Sequence, residues 1–121
     1  MKYSAAITGW GEEALSFLNE ENPFVVIFDN SAPEELMEIA ILHDHAELTA
    51  DPAVGDTLTF CDKRYQVTAV GEEALHTLRT LGHCTLLFTG ASEPELGGQI
   101  VLKGEPLTEA DVKVGGKIEL F

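Results

Sequence analysis

The segment ITGWGEEALSFLNEENPFVVIF, residues 7–28, aligns without a gap with VTAVGEEALHTLRTLGHCTLLF, residues 67–88. Extending this sixty-residue offset over the whole chain gives 15 identities in 61 pairs, whereas a chain of this composition would give roughly four by chance. The pentapeptide GEEAL occurs in both halves at the same offset. The sequence therefore predicts an internal repeat, with units at about residues 1–60 and 61–121.

The two units share a succession of predicted elements. A short strand leads to a glycine and a short helix with two glutamates in its first turn, where the helix dipole favours acidic residues. An apolar run typical of a β-strand follows, PFVVIF in one unit and CTLLF in the other. The other predicted strands are at about 3–8, 39–48, 65–70 and 99–103, with a final strand after Gly55 and after Gly115 and a hairpin turn near Asp62–Lys63. A second helix is predicted in SAPEELME, with Ser31 as N-cap and Glu34 completing a capping box, and Gly97–Gly98 is expected to cut short the matching helix in ASEPELGG.

Neither unit is long enough to bury its own sheet face, so we expect the two units to close on one another. The predicted fold class is mainly β: a small closed or partly open β-barrel with an internal pseudo-twofold repeat and a few short helices at its ends. At 121 residues the chain has the length of one domain, so residues 1–121 are expected to form a single domain.

The chain is strongly acidic, with a formal net charge of −14. Residues 1–60 carry twelve acids against Lys2 alone, so most of the negative charge lies in the first unit. Such a surface repels nucleic acids and anionic membranes and favours a basic protein partner. No run is long enough to span a membrane, and the N-terminus lacks a signal sequence, so we expect a cytoplasmic protein without membrane insertion. Cys61 and Cys84 are expected to be buried free thiols.

The first unit alone contains a cluster of residues able to do chemistry, ILHDHAEL at residues 41–48. In the sixty-residue register His43 and His45 align with Lys103 and Glu105, so the histidine pair is not duplicated. If residues 39–48 form a strand, both rings lie on one face and emerge at the rim of the barrel, open to solvent.

Three interpretations of the pair follow. Histidines two apart can chelate one metal ion, which would need further ligands such as His76, His83 or Glu47. One imidazole can instead act as a nucleophile toward phosphorus while the second stabilises the phosphoryl oxygens, and nearby acids orient the ring. Two solvated histidines on an acidic rim, in a non-catalytic interaction or regulatory domain, are the third possibility.

The chain also resembles a known family, the glucitol/sorbitol-specific IIA component of the bacterial phosphoenolpyruvate-dependent sugar phosphotransferase system. The matching motifs are LHDHAEL for the family's I-H-x-H-x-E-L segment, VTAVG at residues 67–71, and LGHCTLLF at residues 81–88 for L-G-H-x-T-L-x-F. Together these motifs are fairly specific, and the resemblance covers essentially the whole chain.

The resemblance implies a phosphocarrier. His43 would be the phosphohistidine, His45 the supporting residue and His83 a weaker candidate for a neighbour, whereas His76 is expected to be solvated. The phosphoryl group would come from the carrier protein HPr and pass to the IIB component, which phosphorylates a sugar alcohol during uptake. No cofactor and no bound metal are expected. The rival hypotheses are a metal-binding H-x-H module or small metalloenzyme, and a non-catalytic interaction domain.

Overall fold

A computed structural model describes residues 1–121, in which all β-strands belong to one sheet. The strands are β1 (Tyr3–Trp10), β2 (Phe24–Asp29), β3 (Ala40–His43), β4 (Thr57–Phe60), β5 (Lys63–Val70), β6 (Cys84–Leu87), β7 (Gln99–Lys103) and β8 (Lys117–Leu120). They pair in the order β1-β3-β2-β6-β7-β5-β4-β8 and close into a barrel. Closure leaves no unpaired sheet edge, which removes the aggregation hazard of an open sheet of short strands. The predicted fold class, a mainly β barrel with few helices, is confirmed.

The strand pairing of one half repeats in the other. Strands β1 and β5 begin and end sixty residues apart, as do β4 and β8. The parallel pair β2–β3 has its counterpart in the parallel pair β6–β7, and the β1–β3 ladder breaks register between Ile7 and Gly9, just as the β5–β7 ladder does between Val67 and Ala69. The pairs β1–β8, β2–β6, β4–β5 and β4–β8 join the halves, so both halves contribute to one barrel.

The barrel interior is filled by side chains that alternate along the strands. In β1 the inward residues are Tyr3, Ala5 and Ile7, and the main core cluster contains 23 buried residues drawn from both halves. Alternation with a period of two is what buries one face of a strand and leaves the other for solvent or a second layer. No helix of the chain is both long enough and apolar enough to cross a membrane.

The helices differ between the halves. Helix α1 (Glu34–Met37) lies in the first half and helix α2 (Glu72–Leu81) in the second. Helix α2 matches the prediction: Glu72 and Glu73 occupy its first turn, Ala74 and Leu78 face the core, and Gly82 ends it in the left-handed conformation.

The helix predicted at the same point of the first half is wrong. Residues 12–15 form turns, and only Ser16–Asn19 is helical, as a 3-10 helix. Ser16 donates its hydroxyl to the carbonyl of Glu13 at 2.8 Å, and the Phe17 ring stacks on Phe24 at 4.7 Å. Serine side chains that bond the nearby backbone compete with a continuous helix, and the aromatic stack fixes this segment against β2.

Two further sequence predictions fail near the histidine pair. Helix α1 begins at Glu34 with Pro33 at its N-cap, so Ser31 does not cap it. The strand predicted at 39–48 ends at His43, where its parallel neighbour β2 also ends. Asp44 still contacts β1: its N–H donates to the carbonyl oxygen of Ala6 at 2.9 Å, and its Oδ1 accepts from the N–H of Ala6 at 2.9 Å. Residues 44–48 lie outside the strands.

Candidate functional site

His43, the last residue of β3, is fully buried. Its Nε2 lies 2.8 Å from the carbonyl oxygen of Gly82, and its Nδ1 lies 2.6 Å from the carbonyl oxygen of Asp44. The ring of Tyr3 meets it edge-on, with centroids 6.1 Å apart. The expectation that this ring is open to solvent is wrong: β3 ends at His43, and its inward face places the ring between the barrel and the turn after α2. Its role as phosphohistidine stays a prediction.

Gly82 is the residue that makes room for the His43 ring. Its φ is +59°, and a Cβ at this position would lie 2.6 Å from His43 Cε1. The same glycine ends α2, since its N–H donates to the carbonyl oxygen of Leu78. The turn between α2 and β6 is therefore fitted to the buried imidazole at the end of β3.

His45 lies two residues farther along and is placed in the opposite way. Its side chain is 71% exposed, and its Nδ1 lies 3.1 Å from Oδ2 of Asp29, a side chain that is only 4% exposed. An ionised carboxylate only accepts hydrogen bonds, so the Nδ1–H group of His45 donates to it. In the neutral ring the lone pair is then on Nε2, the nitrogen that has no protein partner.

Asp29 is a site residue that the sequence interpretation missed. It ends β2 and is the Cα partner of His43 in the parallel β2–β3 ladder. The Ser31 N–H donates to its Oδ1 at 2.8 Å, and the Ser31 hydroxyl donates to the same oxygen. Burial raises the pKa of Asp29, but the hydrogen bonds from the Ser31 hydroxyl, His45 and the Ser31 N–H outweigh burial and hold this pKa below its usual 3.8.

The only signal for Asp29 in the sequence was its position at the end of the apolar run PFVVIFD, two residues before Ser31. An acid at the end of a buried strand is unusual unless it has partners.

His83, the weaker candidate, is half-buried and is also attached to β2. Its Nδ1 donates to the carbonyl oxygen of Ile27 at 3.1 Å, and its ring packs on Phe28 with centroids 4.4 Å apart. His83 lies near His43 because Gly82, the residue before His83, places its carbonyl oxygen against His43 Nε2. His76 is exposed on α2, as expected.

The arrangement does not favour the metal-binding hypothesis. No group of three or more His, Cys, Asp or Glu side chains is placed to hold a metal ion. Both His43 nitrogens face carbonyl oxygens and the bound nitrogen of His45 faces Asp29, so the two rings do not converge on a common point.

Several exposed acids lie before and after the pair in the sequence. Glu34 and Glu35 occupy the first turn of α1, which begins three residues after Ser31, and both are exposed. Glu38 and Glu47 are exposed as well, on either side of the β3 segment in sequence. These exposed acids therefore flank β3 and the histidine pair in sequence.

Comparison with known proteins identifies the same family as the sequence motifs. The family model of the PTS system glucitol/sorbitol-specific IIA component matches residues 2–119. Two relatives named glucitol/sorbitol-specific EIIA component, from Escherichia coli K12 and Shigella flexneri, are each 36% identical over 102 residues, which covers 84% of this chain and 81% of the relative.

A solved structure shares the fold. The crystal structure of a PTS system IIA component from Enterococcus faecalis V583 superposes with a TM-score of 0.78 at 23% identity, covering 96% of this chain and 97% of that one. The family match spans nearly the whole sequence and includes both histidines. This chain therefore belongs to the glucitol/sorbitol-specific IIA family, a component of the phosphotransferase system.

Proposed function

We propose that residues 1–121 act as a single IIA-type phosphocarrier domain. The domain accepts a phosphoryl group from the phosphohistidine of HPr on a histidine of the His43–His45 pair and passes it to the IIB component of the same transport system. IIB in turn phosphorylates a sugar alcohol, glucitol or a related polyol, during its uptake. We expect this exchange to take place in the cytoplasm, and the membership of the phosphotransferase-system family supports that location.

One observation carries this proposal: the pair presents an exposed imidazole whose second nitrogen is fixed by a buried carboxylate. The His45 ring is 71% exposed, and Asp29 holds its Nδ1 at 3.1 Å. A ring with one nitrogen held by a hydrogen bond offers the other as a nucleophile in a defined direction. This is what a carrier needs if the same nitrogen is to receive a phosphoryl group and release it.

Phosphoryl transfer has few further requirements. Phosphoryl transfer between two imidazoles depends on holding the two nitrogens in line with phosphorus and on stabilising the charge of the phosphoryl oxygens. The exposed acids Glu34, Glu35 and Glu47 do not help to bind a phosphoryl dianion. They disfavour tight retention of the group, which suits a protein that hands it on.

The same acids support the partner assignment. A basic partner is attracted to a surface of net charge −14 over distances longer than any contact, which speeds encounter. HPr and IIB must each place a reacting side chain against the same histidine, so the two complexes must be transient and use overlapping surfaces.

The resemblance assigns the phosphoryl group to His43. For that ring to accept it, His43 would have to leave its buried position and break its contacts with the Gly82 and Asp44 carbonyls. His83 would support the pair from the β2 side, through its contact with the carbonyl of Ile27.

The test is phosphorylation of the purified chain by phosphoenolpyruvate, the first enzyme of the system and HPr. We expect one acid-labile phosphoryl group per chain, stable to alkali, in the wild type and in His76→Gln, which removes a histidine outside the site. The double variant His43→Gln/His45→Gln should take up none. A folded wild type that is not labelled, or a double variant labelled like the wild type, would contradict the proposal.

A further inference from the structure

We propose that Thr77 of α2 is a positioning residue for phosphoryl transfer, because it holds the peptide unit between Gly82 and His83 as a closed gate against the His43 ring. The gate consists of the Gly82 carbonyl and the His83 N–H, in the turn between α2 and β6. This inference rests on the proposed phosphocarrier function, with His43 as the phosphohistidine that the family resemblance implies. It adds the step that gives a partner protein access to the ring.

The gate covers a ring that phosphoryl transfer must expose. His43 is fully buried, and its Nε2 lies 2.8 Å from the Gly82 carbonyl oxygen. The fit is close, since a Cβ on Gly82 would lie 2.6 Å from His43 Cε1. Transfer requires phosphorus in line with a ring nitrogen, and the Gly82 carbonyl occupies that line at Nε2. The gate must therefore move before HPr or IIB can reach this side of the ring.

Of the two carbonyl groups that enclose the ring, the gate is held less firmly by the sheet. On the other side, the Asp44 carbonyl faces His43 Nδ1, and Asp44 is tied to β1 twice. Its N–H donates to the Ala6 carbonyl, and its Oδ1 accepts from the Ala6 N–H, both at 2.9 Å. The gate belongs to no strand, and such segments open at lower free energy than the strands beside them. We therefore assign the opening motion to the gate.

Thr77 binds the turn at two points. Its carbonyl oxygen accepts from the His83 N–H of the gate at 3.2 Å, and its hydroxyl donates to the His83 carbonyl at 2.6 Å. The hydroxyl has a second acceptor within reach, the Glu73 carbonyl at 3.1 Å. When the turn moves away, the hydroxyl can donate to Glu73, so opening leaves no unsatisfied donor on Thr77. The gate can thus open without disrupting α2.

The residues on either side of the gate are anchored, which confines the motion to one peptide unit. The Gly82 N–H donates to the Leu78 carbonyl at 3.1 Å, and His83 Nδ1 donates to the Ile27 carbonyl at 3.1 Å. Gly82 has no Cβ and a φ of +59°, so the peptide that follows it can rotate at low steric cost. Rotation turns the carbonyl away from His43 Nε2. A gate that opens only part of the time keeps water from the reacting ring until a partner has docked.

The test is a matched pair of threonine substitutions on α2. Thr77→Val keeps the β-branched shape and removes the hydroxyl. Thr80→Val makes the same change at an exposed residue, whose hydroxyl bonds only the His76 carbonyl of its own helix, at 2.9 Å. Diethyl pyrocarbonate acylates accessible imidazoles, and peptide mass spectrometry resolves each ring. We expect His43 to react about fivefold faster in Thr77→Val than in wild type or Thr80→Val, as loss of one hydrogen bond implies, with His76 unchanged.

Two further measurements separate gating from a general loss of stability. The initial rate of labelling at limiting HPr should rise in Thr77→Val by a similar factor, because it follows the population of open gates. A residue that only stabilised the fold would not speed labelling when its bond is removed. By hydrogen exchange, the His83 amide should exchange faster in Thr77→Val, whereas the Val67 amide in β5, which donates to the Asp56 carbonyl, should not change.

Equal acylation of His43 in the two threonine variants would overturn the inference, as would a wild-type His43 that reacts as fast as His76. Faster acylation combined with slower labelling would show that the turn does not control access for transfer. Faster exchange at both amides would assign the effect to global unfolding and reject a local gate. A wild type that is not labelled would contradict the proposed function alone, because acylation and exchange require no phosphoryl transfer.

Discussion

Gly82 and His43 are fitted to one another: the Gly82 carbonyl oxygen lies 2.8 Å from His43 Nε2, and a Cβ on Gly82 would lie 2.6 Å from His43 Cε1. We therefore expect Gly82→Ala to lower the free energy of unfolding by ~2–4 kcal/mol, from the positive φ and from displacement of the ring. Urea unfolding monitored by circular dichroism measures the loss.

The matched control is Gly90→Ala. Gly90 has a similar φ of +68°, but an added Cβ would meet only Lys103 atoms, at 3.4 Å or more, which is an ordinary contact distance. This variant should lose about 1 kcal/mol, the cost of the backbone conformation alone. Equal losses in the two variants would mean that the His43 ring is not packed against Gly82.

Asp29 makes stability depend on pH at the acidic end. Its pKa in the folded chain lies below the usual 3.8 because its hydrogen bonds outweigh burial. Its contribution is therefore present in full above the unfolded pKa and is lost as pH falls through the folded pKa. We expect Asp29→Asn to cost about 1–3 kcal/mol at pH 7, with the difference from wild type shrinking below about pH 4.

Denaturant unfolding of both proteins between pH 3 and 7 checks this pH dependence. Glu47→Gln, at an exposed acid, serves as the control and should track the wild type throughout. A constant difference between wild type and Asp29→Asn over the whole range would refute the stabilising role of the ionised carboxylate.

Much of the fold could be predicted from the sequence because of the internal repeat. Pairs such as Gly55 and Gly115, both with positive φ and both preceding a strand, occupy matching places because the same local sequence requires the same turn. The shared GEEAL wrongly predicted an α-helix in the first half. Ser16 and Phe17 stand there in place of residues that extend α2 in the second half.

Less of the site could be predicted from the sequence. The histidine pair was visible in the sequence, but its geometry depends on β3 lying between β1 and β2, a strand order that periodicity does not specify. This order brings Asp29 beside His45, sixteen residues away in sequence, and the Gly82 carbonyl against His43. It also ends β3 at His43, so the two rings do not share a strand face.

Salt should weaken the complex with HPr. The acids of the first half, including Glu34, Glu35 and Glu38 around α1, act over distances that salt screens, with a Debye length of ~10 Å at 0.1 M and ~3 Å at 1 M. We expect the association rate to fall by at least about tenfold over this range. Stopped-flow or surface-plasmon measurements with wild type and the triple variant Glu34→Gln/Glu35→Gln/Glu38→Gln test this, and the triple variant should show a flatter salt dependence. Identical slopes would place the docking surface elsewhere.

The two cysteines should differ in reactivity. Both thiols are free; Cys84 is buried as expected, whereas Cys61 is only half-buried, in the turn between β4 and β5. Burial raises the pKa of Cys84 to about 12, so almost no thiolate is present at pH 8. In Cys61→Ala the remaining thiol should react with Ellman's reagent only as fast as the chain unfolds, whereas the thiol of Cys84→Ala should react faster. Rapid reaction of native Cys61→Ala would show that Cys84 is accessible.

The most direct measurement is the ¹⁵N and ³¹P NMR spectrum of the phosphorylated chain with labelled histidine. We expect a one-bond coupling between phosphorus and a ring nitrogen of the His43–His45 pair, and none to a nitrogen of His76 or His83. Coupling of phosphorus to His76 or His83, or a folded chain that takes up no phosphoryl group, would contradict a phosphocarrier site built on this pair.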